Sequence, residues 1–95
     1  MGVVVCIAIA GLRLWFNSLD HLPPHFHVTR RDEWEIRVFF LQCTDTRLAC
    51  ELKWPKSGKG PNAATRDLLR RAVMAHQAEL LAEWQSKVVQ MENEP

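Results

Sequence analysis

His25-Phe26-His27-Val28-Thr29-Arg30-Arg31-Asp32-Glu33-Trp34-Glu35-Ile36-Arg37-Val38-Phe39-Phe40 is the stretch that sets the fold. Successive side chains of a strand point to opposite faces of a sheet. In the second half Trp34, Ile36, Val38 and Phe40 alternate with Glu33, Glu35 and Arg37, the pattern of a half-buried strand. In the first half Phe26 and Val28 share one face and the two histidines share the other. Thr29 to Asp32 is the only polar gap between the runs, so the two strands form a hairpin.

Upstream of the hairpin, Asn17 to Pro24 is punctuated as a loop, and Pro23-Pro24 cannot sit inside a central strand because proline lacks the N–H donor. Leu12, Leu14 and Phe16 alternate with Arg13 and Trp15, which predicts another strand with Trp15 on an exposed face. The β-branched run Val3 to Ala10 suits a buried strand, and Gly11 marks a bulge or bend between the two runs. That run lacks the positively charged leader of a signal peptide and is too short to span a bilayer. Downstream, Arg47 to Trp54 predicts a strand with Leu48, Cys50, Leu52 and Trp54 inward, followed by a mobile loop over 55–61. From Asn62, a plausible N-cap, the period lengthens: Leu69, Val73, His76, Leu80, Trp84, Val88 and Met91 form an apolar stripe, widened by Leu68, Ala72 and Leu81. This predicts one helix over about 62–91, or two with a break near 74–77.

The expectation is therefore α+β: a small antiparallel sheet of 3–5 strands over about 3–54, packed on a C-terminal amphipathic helix or helix pair. With 95 residues, 47% hydrophobic and 24% charged, the chain has the size and composition of one globular domain spanning 1–95. Its net charge of +1 gives no global electrostatic case for nucleic acid or for an anionic membrane. Three cysteines, Cys6, Cys43 and Cys50, with no Cys-x-x-Cys pair, fit neither a disulfide framework nor a cysteine-rich zinc site, so a reducing, cytoplasmic setting is expected.

The chemistry is concentrated before and within the hairpin. His25 and His27 lie two apart, so on a strand their imidazoles project from one face about 6.6 to 7 Å apart and can converge on one metal. His21 or Asp20 would supply a third ligand from the loop stiffened by Pro23 and Pro24, with Glu33 and Glu35 behind them. Alternatively His25, His27 and His21 perform acid–base chemistry without a metal, for example in RNA cleavage. The plainest reading is a solvated polar face. No phosphate cradle, Walker motif or Rossmann fingerprint is present, so no cofactor is expected, with a divalent, zinc-like metal as the alternative. Arg13 and Trp15 together could mark an interface, and His76 could either make one hydrogen bond at the core boundary or approach the histidine group. Arg66, Arg70 and Arg71, with Lys53, Lys56 and Lys59 before them, form a local basic set that could touch nucleic acid, although Asp67 already pairs with Arg71 by helical spacing.

Gly11-Leu12-Arg13-Leu14-Trp15-Phe16-Asn17, then Asp20-His21-Leu22-Pro23-Pro24-His25-Phe26-His27-Val28, and the helical stretch Ala75 to Trp84 resemble the small bacterial proteins of domain-of-unknown-function family 4160. Ser18-Leu19 and the middle from Arg31 to Gly60 depart from that pattern. The resemblance implies a fold and a set of positions. It also implies a small protein partner, self-association or an RNA target, as in toxin–antitoxin-like pairs, rather than a metabolic substrate. An interaction module and a histidine-based enzyme are thus the two principal expectations, with a nucleic-acid binder third.

Overall fold

The computed structural model describes residues 2–31, 33–55 and 58–88. Five strands, β1 (Gly2–Val3), β2 (Arg13–Phe16), β3 (Phe26–Arg30), β4 (Trp34–Val38) and β5 (Cys50–Trp54), precede one helix, α1 (Ala63–Lys87). The sheet is antiparallel throughout, in the order β1-β2-β3-β4-β5. This is the expected α+β architecture.

The hairpin forms as the alternation requires. Phe26 pairs with Val38, His27 with Arg37, Val28 with Ile36 and Arg30 with Trp34. Arg31 turns the corner with φ 50, and the remaining turn position, Asp32, lies outside the described residues. Phe26, Val28, Trp34, Ile36, Val38 and Phe40 are all buried and pack with Leu69, Val73, Leu80, Trp84 and Val88 of the helical segment. Burying each such side chain contributes about 1.5–3 kcal/mol, so this one interface dominates the stability of the fold.

Asn62 caps α1 by accepting the Thr65 N–H at 2.9 Å. The helix is one element with a kink at His76 (φ −134, ψ 23), within the stretch where a break was expected. The expected stripe residues Leu69, Val73, Leu80, Trp84 and Val88 are buried on both sides of the kink, and only the position at it changes. Gln77, not His76, faces the sheet and donates its amide to the Phe40 and Cys43 carbonyls. His76 instead pairs with Glu79 of its own helix at 2.7 Å, so its expected approach to the sheet or to the histidine group does not occur. Leu68 is exposed rather than part of the stripe; Met91 lies outside the described residues.

Two strand expectations are corrected. Only Gly2–Val3 of the first apolar run is strand; Val4 and Ile7 are buried while Val3 and Val5 are exposed. The cause lies across the molecule. The Glu83 carboxylate accepts the N–H groups of Val5 and Cys6 at 2.8 and 2.7 Å, which ties this backbone to the helix rather than to a sheet ladder. Gly11, at φ 83, makes the expected bend. β5 is shorter than the predicted 47–54, and Leu52 is exposed, with Cys50 and Trp54 half-buried. β5 is an edge strand, and its pairing with β4 is bulged between Glu35 and Ile36. Lys56 and Ser57 of the expected mobile loop lie outside the described residues.

Candidate functional site

The second sheet face carries a row set by strand register. Trp15 pairs with His27, His27 with Arg37, and Arg37 with Glu51. Because pairing fixes which side chains are neighbours, this row places an indole, an imidazole, a guanidinium and a carboxylate side by side. The loop between β2 and β3 then folds over the row.

That covering corrects the expectation of a solvated face. His25 is 6% and His27 1% exposed. Trp15, expected to be exposed, is half-buried and stacks on His27 with ring centroids 5.3 Å apart and an interplanar angle of 19°. The guanidinium of Arg13 lies over the outer face of the same assembly, 5.5 Å from the Trp15 ring. His25 packs edge-on against His27 and at a tilt of 49° against Phe39. Trp15, the Arg13 guanidinium and Phe39 thereby help to shield the two imidazoles from water.

Asp20 reaches this group from the loop. Asp20 N–H donates to the Asn17 carbonyl and Asn17 N–H donates to the Asp20 carboxylate, so a tight local turn aims the side chain inward. Its Oδ2 lies 3.0 Å from His27 Nε2 and its Oδ1 lies 3.5 Å from His25 Nε2. One donor atom from each of Asp20, His25 and His27 falls within 4.8 Å of the others.

The opposite ring nitrogens are held separately. His25 Nδ1 donates to the Pro23 carbonyl at 2.8 Å, which leaves its Nε2 as the atom with the lone pair. His27 Nδ1 faces Glu35 Oε2 at 3.4 Å. Glu35 is itself nearly buried; its Oε1 accepts the Trp54 indole N–H at 3.1 Å and its Oε2 lies 3.3 Å from Lys53 Nζ. Burial lowers the proton affinity of His27 below the ordinary imidazole range, against the upward pull of Asp20. A neutral His27 has one N–H for two carboxylates. With the proton on Nε2 the ring donates to Asp20 Oδ2 at 3.0 Å; with the proton on Nδ1, toward Glu35, its single Nε2 lone pair accepts from the Asn17 amide at 3.2 Å.

Beside Asp20 and His25 opens a cleft of about 300 Å³ lined also by His21, Pro23, Arg37 and Phe39. His21 is exposed and stands on the cleft wall, outside the three-residue group; Asp20, the alternative third member, takes its place. Pro24 is half-buried beneath the loop. Glu33 is exposed and takes no part, whereas Glu35 does. Asn17 and Phe39 had no sequence signal of their own, whereas alternation already places Arg37 on the histidine face, and the hairpin register sets it opposite His27.

The basic set is separate from this site. Arg70 and Arg71 both pair with Asp67, at 2.8 and 2.9 Å, and Arg70 also donates to the Asp45 carbonyl. Lys53 is held by Glu35, and Lys56 lies outside the described residues. Among the described residues no helix is long and apolar enough to cross a membrane. The cysteines Cys6, Cys43 and Cys50 are free.

The model of the family described as "Domain of unknown function (DUF4160)" matches residues 11–85. The chain belongs to this family. No curated protein and no solved structure matches it. The DUF4160 match takes in β2, the Asp20 loop, the hairpin, β5 and nearly all of α1, and therefore every residue of the site just described.

Proposed function

We propose that the chain is a metal-binding module in which Asp20, His25 and His27 hold one divalent transition-metal ion at the floor of the cleft. The carrying observation is the orientation of the two imidazoles. His25 Nδ1 donates to the Pro23 carbonyl, His27 Nδ1 stands 3.4 Å from Glu35 Oε2 without a hydrogen bond to it, and each ring turns its Nε2 toward Asp20. A metal-ligating histidine ordinarily has its other ring nitrogen tied in this way, which sets the tautomer and the ring plane.

Asp20 Oδ2 stands 3.0 Å from His27 Nε2 and Oδ1 3.5 Å from His25 Nε2, and one donor atom from each residue lies within 4.8 Å of the others. Donors around a tetrahedral ion with bonds of about 2.0–2.1 Å sit about 3.3 Å apart, so an ion would draw the three together. Two imidazoles and one carboxylate suit zinc or iron(II) and leave coordination positions for a ligand. Such an ion would act as a Lewis acid toward whatever enters the cleft. Metal binding takes up the metal-dependent form of the histidine-based expectation rather than the partner-binding module. The metal-free acid–base alternative is less well supported, because His27 is 1% exposed and lies beneath Trp15, where a substrate proton cannot reach it.

The test is a titration of the metal-free protein with Co²⁺, followed by visible absorption, with Zn²⁺ as competitor. One ion per chain is expected. Asp20→Asn and His25→Gln, which keep shape, should each abolish the signal while circular dichroism reports an intact fold; His21→Ala should leave it unchanged. Folded protein that takes up no ion, or uptake that survives both substitutions, overturns the proposal.

A further inference from the structure

We infer that the cleft beside this centre is a site for the oxyanion of a small organic ligand, a phosphate or carboxylate, gripped by Arg37. The inference rests on the metal reading and names the ligand class of that site. Arg37 is placed by register directly opposite His27, so its side chain rises on the histidine face and forms a wall of the cleft that Asp20 and His25 floor. The next strand supplies its present partner, Glu51, in register with it. Glu51 is 56% exposed and Arg37 35% exposed. An ion pair so placed contributes little to stability, and its carboxylate is readily exchanged for another oxyanion.

The charges also call for an anion. A divalent ion held by one carboxylate and two neutral imidazoles retains a net positive charge, and the guanidinium adds another. A planar fork of N–H donors beside a cation with free positions is the arrangement that takes a phosphate or carboxylate in two-point fashion. The rest of the ligand has a surface to lie on. Pro23 and Phe39 line both this cleft and a neighbouring hollow of about 510 Å³ that has Arg47 on its rim. An aromatic or aliphatic body attached to the oxyanion would cover Phe39 and extend there.

The experiment uses the Co²⁺-loaded protein and four probes: inorganic phosphate, phenyl phosphate, acetate and benzoate. Perturbation of the Co²⁺ spectrum reads binding. Phosphates and carboxylates are separate arms, and whichever class binds, its phenyl member should bind more tightly than its simple member. Arg37→Gln should weaken binding by about tenfold or more, the scale of a charge-assisted bidentate contact. Glu51→Gln should instead tighten it by about twofold to fivefold, because it removes an exposed competitor of modest strength. A role for the Arg37–Glu51 pair in holding the sheet alone would move neither value. Loading with Co²⁺ but no response to any probe, or equal affinity in Arg37→Gln, overturns this inference and leaves the metal site standing. Failure to load at all removes both.

Discussion

Replacing Glu35 with glutamine changes one charge and almost no volume, and it tests the assignment of the His27 proton. Glu35 accepts one hydrogen bond and borders a second ring nitrogen: Oε1 accepts from Trp54 Nε1 at 3.1 Å, and Oε2 stands 3.4 Å from His27 Nδ1 without a hydrogen bond of good geometry. Glutamine has a single oxygen for these two donors. If that oxygen stays on Trp54, the shorter contact, its NH₂ faces His27 Nδ1. The ring must then accept there and carry its proton on Nε2, the atom required as a metal ligand. If the amide turns the other way, its NH₂ meets the indole N–H and a buried donor loses its acceptor. In either orientation metal binding has to work against a mispaired hydrogen bond.

The expected loss is that of a removed carboxylate partner behind a ligating histidine, about 10- to 100-fold in affinity. At about 1.4 kcal/mol per factor of ten this is about 1.4–2.7 kcal/mol. Zinc titration of the metal-free proteins by calorimetry provides the comparison. The metal-free variant should melt close to the wild type, since the substitution removes a nearly buried carboxylate whose Oε2 lacks a hydrogen bond of good geometry. The Lys53 pairing lost with it is partly exposed and of small value. Equal zinc affinity in wild type and Glu35→Gln would refute the tautomer assignment and, with it, the part of Glu35 in the site.

Two further substitutions address the scaffold. The Glu83 carboxylate is subject to an upward push from burial, which is outweighed by hydrogen bonds from Lys87, the Cys6 thiol and the Val5 and Cys6 backbone that bring it down to about 2. A depressed carboxylate stabilises the fold above its unfolded value, 4.5, and loses that contribution as pH falls toward about 2. Glu83→Gln should therefore cost about 2 kcal/mol at neutral pH, with the difference from wild type shrinking in thermal melts taken at successively lower pH through that window. A gap that stays constant from pH 7 to pH 2 would show that the charge is not what holds the N-terminal segment. Leu80 is fully buried in the interface between helix and sheet. Leu80→Ala should cost about 2–5 kcal/mol in urea unfolding, with the larger values expected if the site does not collapse; a cost under about 1 kcal/mol would mean the helix is not packed there as described.

The hairpin was legible because its two runs alternate without a break, and a slip of one residue would put Phe26, Val28, Ile36 and Val38 into water. Register then fixed, without any further information, that His27 and Glu35 share a face. Burial of that face was not legible. It depends on the eight residues from Asn17 to Pro24 folding back over the sheet, and their sequence declares only a loop. The misplacement of His76 has a similar origin. Periodicity assumes an unbroken helix, and a kink at that same residue passes the sheet-facing position to Gln77. Leu52 alternates as regularly as Ile36, but alternation cannot tell an edge strand from an inner one.

The burial that sequence patterning missed is also what turns a pair of histidines into a chemical problem. On an open sheet face His27 could exchange protons with water, and both neighbouring carboxylates would be solvated. Beneath Trp15 and the Asp20 loop the ring is driven toward its neutral form while it is pressed between two acids. A neutral imidazole can donate to one of them and must offer a lone pair to the other, at a separation where two lone pairs repel. A cation between Nε2 and Asp20 removes that conflict, and His25 presents its own lone pair at the same point because Pro23 holds its other nitrogen. The loop, the indole and the buried Glu35 are thus three parts of one arrangement, each of which makes a cation at Asp20 more favourable than it would be on the bare sheet.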